Sequence, residues 1–276
     1  MIRQAIIPLA GLGTRLLPLT SVYAKELLPI NGKVGLEYIL DECIEAGIKE
    51  IIFVISKKKE IIRKYFYNDL FYKKIINKKK DKRIIKEYKK ILKYKKMIKF
   101  VYQNNPKGTG DAVLQTKKLI KDKFFMMLLP DDLIMLKNCS KDMILLHKKK
   151  KCSVMASMKV NKKTVNRWGV FSKKFNINKN NFYINDVIEK PDIKSAPSNN
   201  AVIGRYILPK KIFTKLENQK KGKGGEIHIT DAIKRLIKDG EKFIGHNFKG
   251  KYLDCGTIEG YIKSSVEISK IWNFAW

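Results

Sequence analysis

The chain has 276 residues, of which 44% are hydrophobic and 10% aromatic, so it is long and apolar enough to enclose a sizeable core. Its formal net charge is +33, yet only seven of the 59 basic residues are Arg, the residue best shaped to read bases and phosphates. Ile, Asn, Phe and Tyr, which share A/T-rich codons with Lys, are also frequent. We therefore interpret the excess charge as a solvated surface and expect no specific nucleic-acid partner.

The targeting and redox features are those of a protein from a reducing compartment. No run of about 18 uninterrupted apolar residues occurs, so we expect neither a membrane span nor a membrane partner. The N-terminus carries no cleavable signal pattern. Cys43, Cys139, Cys152 and Cys255 are irregularly spaced, without CxxC or a metal-ligand spacing. The sequence therefore predicts free thiols and a cytoplasmic location.

The first half of the chain alternates between buried strands and helices. Unbroken apolar runs predict strands over 5–9, 50–55, 98–103 and 124–129. Apolar residues at helical spacing predict helices over 35–46 and 110–120. Strands that alternate with helices favour an α/β fold with a doubly wound, mostly parallel, Rossmann-like sheet, because both faces of such strands are covered.

A Lys-rich segment separates two of these strands. Residues 73–99 contain 14 basic and two acidic residues, and apolar residues recur within them at helical spacing. The pattern predicts an amphipathic helix with a Lys-rich outer face. A solvated surface helix is the simplest interpretation, and a contact with a polyanion or another subunit is the alternative.

The second half has a different rhythm, with sheet segments and longer connections. Sheet segments are predicted over 152–160, 167–171, 181–190 and 201–208, and helices near 229–239 and from about 257. No internal repeat and no linker rich in Pro, Gly or Ser interrupts the chain. We therefore predict one continuous domain over residues 1–276.

A glycine-containing loop follows the first predicted strand. Its residues Ala10–Arg15 read AGLGTR, and Lys25 follows within KELLP. Gly11 and Gly13 allow backbone N–H groups to approach anionic oxygens, while Arg15 and Lys25 supply positive charge. The loop is neither a Walker A motif nor a dinucleotide fingerprint. It predicts a site for a phosphate chain, and a β-turn beside unrelated basic residues is the alternative.

Two aspartates stand where strands end. Asp131 follows the apolar strand over 124–129, with Asp132 after it, and Asp254 precedes a glycine turn in YLDCG. Carboxylates at the mouth of a parallel sheet suit Mg²⁺, which takes few protein carboxylates and completes its shell with phosphate oxygens. Helix N-caps or turns are the alternative roles for Asp131 and Asp254.

These blocks together resemble the bacterial UTP–glucose-1-phosphate uridylyltransferases, a branch of the sugar-1-phosphate nucleotidyltransferase family. The matching blocks are AGLGTRLLPLT, KELLPI, LLPDD, VIEKP, GEIHITDA and YLDCG, and the resemblance runs over about residues 3–265. The sequence departs from the family at Ala24, where Pro is usual, at Asp111, where His is frequent, and at His228, where Gln is usual. We carry no family role to these three positions.

The resemblance implies a role for each matched residue. Gln103 and Gly108 become uridine contacts, since a Gln amide can meet a donor and an acceptor of the uracil edge at once. Glu226 supports the sugar site, and Thr230 caps the following helix. The implied site comprises catalytic Arg15, Lys25 and Lys190; nucleotide-binding Ala10, Gly11, Gly13, Thr14, Glu26, Gln103 and Gly108; sugar-binding Gly169, Glu189 and Lys190; and Asp131 and Asp254 for Mg²⁺.

The resemblance also implies the fold and the reaction. It divides the domain into a nucleotide-binding half over about 1–135, a sugar-binding β region over about 150–260 and a C-terminal helix over 260–276. The implied partners are UTP and glucose 1-phosphate, which give UDP-glucose and pyrophosphate. The family assembles as dimers or tetramers, so a homo-oligomer is expected. The family's chains continue beyond the last helix, whereas this sequence ends at Trp276. We therefore carry over no role for that tail in subunit packing.

Three other functions stay open on the sequence. A glucose-1-phosphate thymidylyltransferase, or another sugar-1-phosphate nucleotidyltransferase, would share the loop and both aspartates, and one Gln does not exclude thymine. A non-catalytic sugar-nucleotide-binding protein would tolerate loss of Arg15, Lys25, Asp131 and Asp254, all of which are present. A nucleic-acid module lacks support, because no RRM, KH or zinc-finger signature occurs.

Overall fold

A computed structural model describes residues 2–271 of the chain. Thirteen strands occur in this part: β1 (Gln4–Pro8), β2 (Pro29–Ile30), β3 (Lys33–Val34), β4 (Glu50–Ile55), β5 (Ile98–Tyr102), β6 (Phe124–Leu128), β7 (Asp132–Met135), β8 (Ser153–Lys159), β9 (Gly169–Asn178), β10 (Asn181–Glu189), β11 (Asn200–Pro209), β12 (Phe243–Asn247) and β13 (Lys251–Asp254). The same part contains nine α-helices: α1 (Gly35–Glu45), α2 (Glu60–Tyr67), α3 (Asp69–Lys79), α4 (Lys82–Lys95), α5 (Thr109–Leu114), α6 (Cys139–Lys150), α7 (Ile212–Glu217), α8 (Ile229–Lys238) and α9 (Ile258–Ile271).

Nine strands form one mixed sheet in the order β5-β4-β1-β6-β11-β8-β12-β10-β9. The first four strands of this order are parallel, as is the pair β8–β12. β11 runs antiparallel to β6 and β8, and β10 runs antiparallel to β12 and β9. Only Lys179 and Asn180 join β9 to β10, which is too short for the crossover that parallel strands need. The predicted α/β fold is confirmed, but the sheet is mixed and not mostly parallel, because β10 and β11 each run antiparallel to both of their neighbours in the strand order.

Helices cover both faces of this sheet, as a doubly wound fold requires. One apolar cluster joins the sheet to α1, α2, α4 and α6, and a second joins the opposite face to α5, α7 and α8. β4 and β11 show why the residues of such strands are mostly apolar. All ten residues of β11 and five of the six residues of β4 are buried, because each strand is sandwiched between the two layers.

A second, two-stranded sheet lies beside the main one. β7 and β13 pair antiparallel, with Asp132 opposite Asp254. The backbone N–H of Cys255 extends this pairing by donating to the carbonyl of Asp131 at 2.8 Å. The ribbon therefore joins two segments about 120 residues apart in sequence and brings the two predicted metal-binding aspartates to one place.

Several predicted elements differ in length from those observed. The helix predicted over 110–120 ends at Leu114, and turns follow it. The Thr116 hydroxyl donates to the carbonyl of Val113 at 2.7 Å, a local bond that competes with the helical pattern. The amphipathic helix of the Lys-rich segment is observed as α4. Residues 272–276 of the predicted C-terminal helix lie outside the described residues.

Three helices, α2, α6 and α7, had no counterpart in the sequence prediction, and α3 overlaps the Lys-rich segment only over residues 73–79. α3 buries none of its residues and exposes Leu70 and Phe71, so it lacks the one-sided stripe that marks a surface helix. Within residues 2–271, every helix falls short of the length and apolar character that crossing a bilayer demands. All four cysteines are free, with Cys255 the least buried.

Candidate active site

A cleft of about 460 Å³ lies at the edge of the sheet where β1 and β6 end, and it continues into a smaller cavity of about 160 Å³. Arg15, Asp131, Glu189 and Thr230 line both spaces, so the two form one site. All the residues predicted for the site line one or both cavities: Ala10, Gly11, Gly13, Thr14, Arg15, Lys25, Glu26, Gln103, Gly108, Asp131, Gly169, Glu189, Lys190 and Asp254. The chain thus brings together positions drawn from more than 240 residues of sequence.

The loop after β1 folds back on itself at Gly13. This residue has a φ of 70°, a left-handed conformation in which a side chain would be strained, and a Cβ there would lie 3.0 Å from Thr20. The Thr20 hydroxyl donates to the carbonyl of Gly13 at 2.9 Å, and a short 3-10 turn over Thr14–Leu16 follows. The bond from Thr20 therefore stabilises the loop, and Gly11 and Arg15 of the loop line the cleft.

Lys25, Arg15 and Asp131 form an ion cluster in the cleft. The Lys25 ammonium donates to Oδ2 of Asp131 at 2.7 Å, and the guanidinium of Arg15 reaches the same oxygen at 3.5 Å. Burial alone would lower the pKa of Lys25, but the charges of Asp131 and Glu26 outweigh it and raise that pKa. Burial likewise opposes the charge of Asp131, and Lys25 beside it holds its pKa below the usual range. Both groups are therefore charged at neutral pH.

Glu26 forms a separate buried pair beneath the cleft. The Lys59 ammonium donates to both of its carboxylate oxygens, at 2.7 and 2.8 Å. Glu26 is only 3% exposed, and burial lowers the pKa of Lys59. The predicted nucleotide-binding role of Glu26 stays a prediction, and the geometry suits it to holding the segment that carries Lys25.

Asp131 and Asp254 lie side by side around Gly256. A Cβ at position 256 would lie 2.9 Å from Oδ2 of Asp131 and 3.2 Å from Oδ1 of Asp254, so a larger residue there would displace the charged side chains around it. The backbone N–H of Gly256 donates to Oδ1 of Asp254 at 2.8 Å. Within residues 2–271 no group of three or more His, Cys, Asp or Glu side chains is placed to hold a metal. Two carboxylates suit an ion that takes its other ligands from phosphate or water.

Asp132, the neighbour of Asp131, lines the smaller cavity and bonds to groups outside the ion cluster. Its carboxylate accepts from the hydroxyl of Tyr252 at 2.7 Å and from the backbone N–H of Gly204 at 2.8 Å. Burial, together with the negative charge of Asp131, raises the pKa of Asp132 to about 6. The two adjacent aspartates thus have different surroundings, and Asp132 ties β7 to β11 and β13.

A buried ion pair supports the turn that carries these aspartates. Arg205 on β11 donates to both carboxylate oxygens of Glu42 on α1, at distances from 2.7 to 3.1 Å. Its third nitrogen donates to the carbonyls of Leu129 and Gly204, at 3.2 and 3.0 Å. The Arg205 side chain is fully buried. It therefore connects α1, β11 and the turn before Asp131 through a single charged group.

The predicted base-contact region is built from two segments that meet edge to edge. Gly108 has a φ of 115°, and a Cβ there would lie 2.6 Å from the carbonyl oxygen of Ile227. The N–H of Ile227 donates to the carbonyl of Lys107, and the N–H of Gly110 donates to that of Ile227, both at 2.7 Å. Gly108 is thus required for this close approach, while it also lines the cleft beside Gln103.

The predicted sugar-binding residues sit at the antiparallel end of the sheet. Oε2 of Glu189 accepts from the Thr230 hydroxyl at 2.9 Å, and a Cβ on Gly169 would lie 3.3 Å from that oxygen. Lys190 follows in a left-handed conformation with a φ of 44° and is exposed to the cleft. Its carbonyl accepts from the Lys223 ammonium. Glu189 and Lys190 therefore face the same space as Asp131.

Thr230 does not cap α8, contrary to our expectation. The N-cap position of α8 is His228, whose side chain makes no capping bond, and the first N–H of the helix, that of Ile229, donates to the Thr109 hydroxyl at 3.2 Å. Thr230 is the second residue of the helix, and its hydroxyl donates to Glu189 instead. The Thr230 hydroxyl therefore bonds to Glu189, a predicted sugar-binding residue, and not to the backbone of its own helix.

Sequence reasoning missed Thr230, Lys59 and Arg205 as parts of the site. Lys59 lies in a run of three lysines of a Lys-rich chain, so nothing in the sequence distinguished it. Arg205 did carry a signal, because a charged residue within an otherwise apolar strand must find a buried partner. Its partner, Glu42, lies in the helix predicted over 35–46, and the sequence pattern did not mark this carboxylate as buried.

The site has the features of an enzyme that handles phosphates, and the comparisons agree. A family model for nucleotidyl transferases matches residues 4–271, and the chain belongs to this family. The UTP–glucose-1-phosphate uridylyltransferase of Mycoplasma pneumoniae is 37% identical over 96% of this chain and 91% of its own length. The same-named protein of Pseudomonas aeruginosa is 38% identical over 96% and 95%. The resemblance seen in the sequence motifs is thereby confirmed.

Solved structures give the same result for the fold. A UDP-glucose pyrophosphorylase complexed with UDP-glucose has a TM-score of 0.87 at 36% identity, covering 99% of this chain and all of that one. A UTP-bound UGPase from Acinetobacter baumannii has a TM-score of 0.89 at 30% identity, covering 99% and 95%. The nucleotidyltransferase fold therefore extends through the whole described chain.

Proposed function

We propose that this protein transfers a uridylyl group from UTP to glucose 1-phosphate and releases UDP-glucose and pyrophosphate. The observation that carries the proposal is the single cleft in which Lys25, Asp131, Glu189, Lys190 and Asp254 converge. Relatives that share at least 36% identity over nearly the full length bear the name of this activity. The same cleft would also serve a sister enzyme with another nucleotide, and the base specificity is what the first experiment tests.

The reaction needs no general base. A phosphate oxygen of glucose 1-phosphate attacks the α-phosphorus of UTP, a P–O bond forms there, and the bond to the β-phosphate breaks. The attacking group is already an anion at neutral pH, so no Ser–His or Cys–His pair is required. The difficulty is electrostatic, since two polyanions must be brought together, and positive groups placed where charge develops lower that barrier.

Each charged side chain has a role in this scheme. Lys190 holds the phosphate of the incoming sugar, and Lys25 lies near the α-phosphate of UTP. Arg15 and the backbone N–H groups between Gly11 and Thr14 take the charge that builds on the departing pyrophosphate. Lys25 is the best supported of these groups, because its buried ion pair with Asp131 fixes its position before any ligand binds.

Nucleotidyl transferases generally use a divalent metal ion. We propose Mg²⁺ for this chain, held by Asp131 and Asp254. The donor set fits, because carboxylate oxygens are the ligands Mg²⁺ prefers and an oxygen of each aspartate lies close to Gly256. When bound, the ion neutralises phosphate charge. Lys25 and Arg15 keep Asp131 ionised and oriented toward the cleft.

Glu189 completes the site on the sugar side. Its carboxylate accepts hydrogen bonds from sugar hydroxyls, and Thr230 holds one of its oxygens in place. Gly169 has no side chain to separate this carboxylate from the strand beside it. The sugar ring would then lie between Glu189 and the loop after β1.

The deciding measurement is pyrophosphate release with Mg²⁺ and glucose 1-phosphate, comparing UTP, dTTP, ATP, CTP and GTP. Release with UTP far above the others is the expected result. Release mainly with dTTP would move the protein to the thymidylyl branch while keeping the site. No release with any nucleotide, from protein shown by circular dichroism to be folded, would contradict the proposal.

The organisation of the protein is part of the same proposal. A single nine-stranded sheet passes through both predicted halves, which supports one domain. Assembly as a dimer or tetramer and a cytoplasmic location stay predictions from the resemblance. Light scattering after size-exclusion chromatography tests the assembly, and a single cooperative unfolding transition is expected of one domain.

A further inference from the structure

Gln103 has a buried partner that the proposed reaction does not use. The side chains of Gln103 and Asp111 belong to residues that are 4% and 8% exposed. Nε2 of Gln103 donates to Oδ2 of Asp111 at 2.5 Å and to the carbonyl of Gly108 at 3.3 Å. Oδ1 of Asp111 accepts from the side chain of Gln115 at 3.2 Å. A carboxylate therefore lies directly behind the amide of Gln103.

This arrangement determines the orientation of the Gln103 side-chain amide. A carboxylate only accepts hydrogen bonds, so the –NH₂ group of Gln103, and not its oxygen, must face Asp111. The amide has two N–H donors, and Asp111 and Gly108 take one each. Within residues 2–271, no donor bonds to Oε1 of Gln103. What this side chain retains for a ligand is an acceptor.

We propose that Asp111 is a positioning residue that sets base specificity by forcing Gln103 to present its carbonyl oxygen. The inference rests on the proposed function and specifies how its nucleotide is chosen. Uracil and thymine carry an N3–H donor, whereas cytosine has a bare N3 acceptor at the same position. An amide oxygen attracts the former and repels the latter. The expectation that Gln103 would meet a donor and an acceptor together is thereby revised.

With its orientation fixed, Gln103 discriminates between bases more strongly than an unconstrained Gln would. An unconstrained amide rotates by half a turn and offers –NH₂ to cytosine at little cost, so it selects weakly. Rotation here would place Oε1 against two other acceptors, the carboxylate of Asp111 and the carbonyl of Gly108, and Oε1 and Oδ2 of Asp111 would both lack a donor. Such unpaired groups are costly in a buried site. Discrimination against cytosine therefore comes from Asp111 through Gln103.

The test is the substitution Asp111→Asn, which keeps the shape of the side chain but adds an N–H donor. The amide of Gln103 can then form a hydrogen bond to residue 111 in either orientation. We expect kcat/KM for UTP relative to CTP to fall by about tenfold or more, as expected when one buried polar mismatch is removed. The KM for glucose 1-phosphate should stay within about twofold, since specificity and not the fold is altered. Calorimetry with UTP and CTP should show the same change in the binding ratio.

Two further variants make the result specific. Gln115→Ala removes the other partner of Asp111 from an exposed position and should leave the UTP-to-CTP ratio unchanged. Gln103→Leu should lower the ratio by itself. Adding Asp111→Asn to Gln103→Leu should then change nothing further, because Asp111 acts only through that amide.

The outcomes separate this inference from the proposed function. If wild type turns over UTP and Asp111→Asn keeps the UTP-to-CTP ratio, the positioning role of Asp111 is wrong and the function stands. If no nucleotide is turned over but UTP still binds better than CTP and Asp111→Asn removes that preference, the function is wrong and the positioning role stands. If wild type binds neither nucleotide, both are overturned.

Discussion

The two ends of the large sheet build their parts of the cleft differently. In the parallel end, the loop after β1 and the turn after β6 deliver Gly11 and Asp131 directly, because parallel strands all end at one edge. In the antiparallel end, Glu189 reaches the cleft only through the pairing of β10 with β9 and through its bond to Thr230. In the parallel end, the strand order alone places residues at the cleft. In the antiparallel end, strand pairing and a side-chain hydrogen bond are needed to position them.

The largest effect on stability should come from breaking the buried ion pair between Arg205 and Glu42. Arg205→Met removes the cation that pairs with Glu42 and leaves this buried carboxylate only the hydrogen bonds from Ser140. Losing one member of a buried ion pair typically costs about 3–5 kcal/mol. Urea unfolding followed by circular dichroism measures the free energy of unfolding. Lys263→Ala breaks the exposed pair with Glu259 and is the matched control, expected to change stability by less than about 1 kcal/mol. Equal losses in both variants would show that Arg205 has no special structural role.

Lys25→Ala tests the parallel end of the cleft. We expect turnover to fall by about 10²–10³, the usual cost of one preorganised charge contact, and more if Asp131 is also displaced. Lys33→Ala breaks a comparable ion pair with Asp41 outside the cleft and should leave turnover unchanged. Steady-state pyrophosphate release is the readout. An unaltered rate in Lys25→Ala, with the protein folded, would remove Lys25 from the catalytic group.

Gly108→Ala tests where the two ends touch. The added Cβ would meet the carbonyl of Ile227 at 2.6 Å in a strained backbone conformation, so we expect a loss of about 1–3 kcal/mol in stability. Gly11→Ala, where a Cβ has nothing within 4 Å, is the control for stability alone. Thermal unfolding distinguishes them. A stable Gly108→Ala variant would mean that the contact between residues 107–110 and 226–228 is adaptable.

The smallest effect is expected at the antiparallel end. Thr230→Val keeps the volume of the side chain but removes the hydroxyl that Glu189 accepts, so KM for glucose 1-phosphate should rise by about tenfold, as for one hydrogen bond to a charged group. The KM for UTP should be unchanged, and Thr230→Ser should restore the wild-type value. A change in KM for both substrates would indicate a general loosening of the site and not a positioned carboxylate.

The sequence by itself determined the local chemistry of this protein. β1, β4, β5 and β6 were predicted to within a residue or two, because buried strands read as unbroken apolar runs. The loop at Gly13 and the turn at Asp131 could be placed for the same reason, since each directly follows such a strand. The interpretation of the charge of +33 as a solvated, Lys-rich surface stays a prediction from composition. These features depend on neighbours in sequence, which a single chain displays.

Only the tertiary structure decided how distant residues meet. The pairing of β7 with β13 brings Asp254 beside Asp131, and neither segment shows a pattern that specifies the other. The orientation of Gln103 follows from Asp111, a residue that the resemblance left without a role. The hydroxyl of Thr230 could bond to its own helix or to Glu189, and the packing of α8 on β10 selected Glu189. Each choice depends on contacts across the fold, where the lowest free energy is set by burial and hydrogen bonding and not by local propensity.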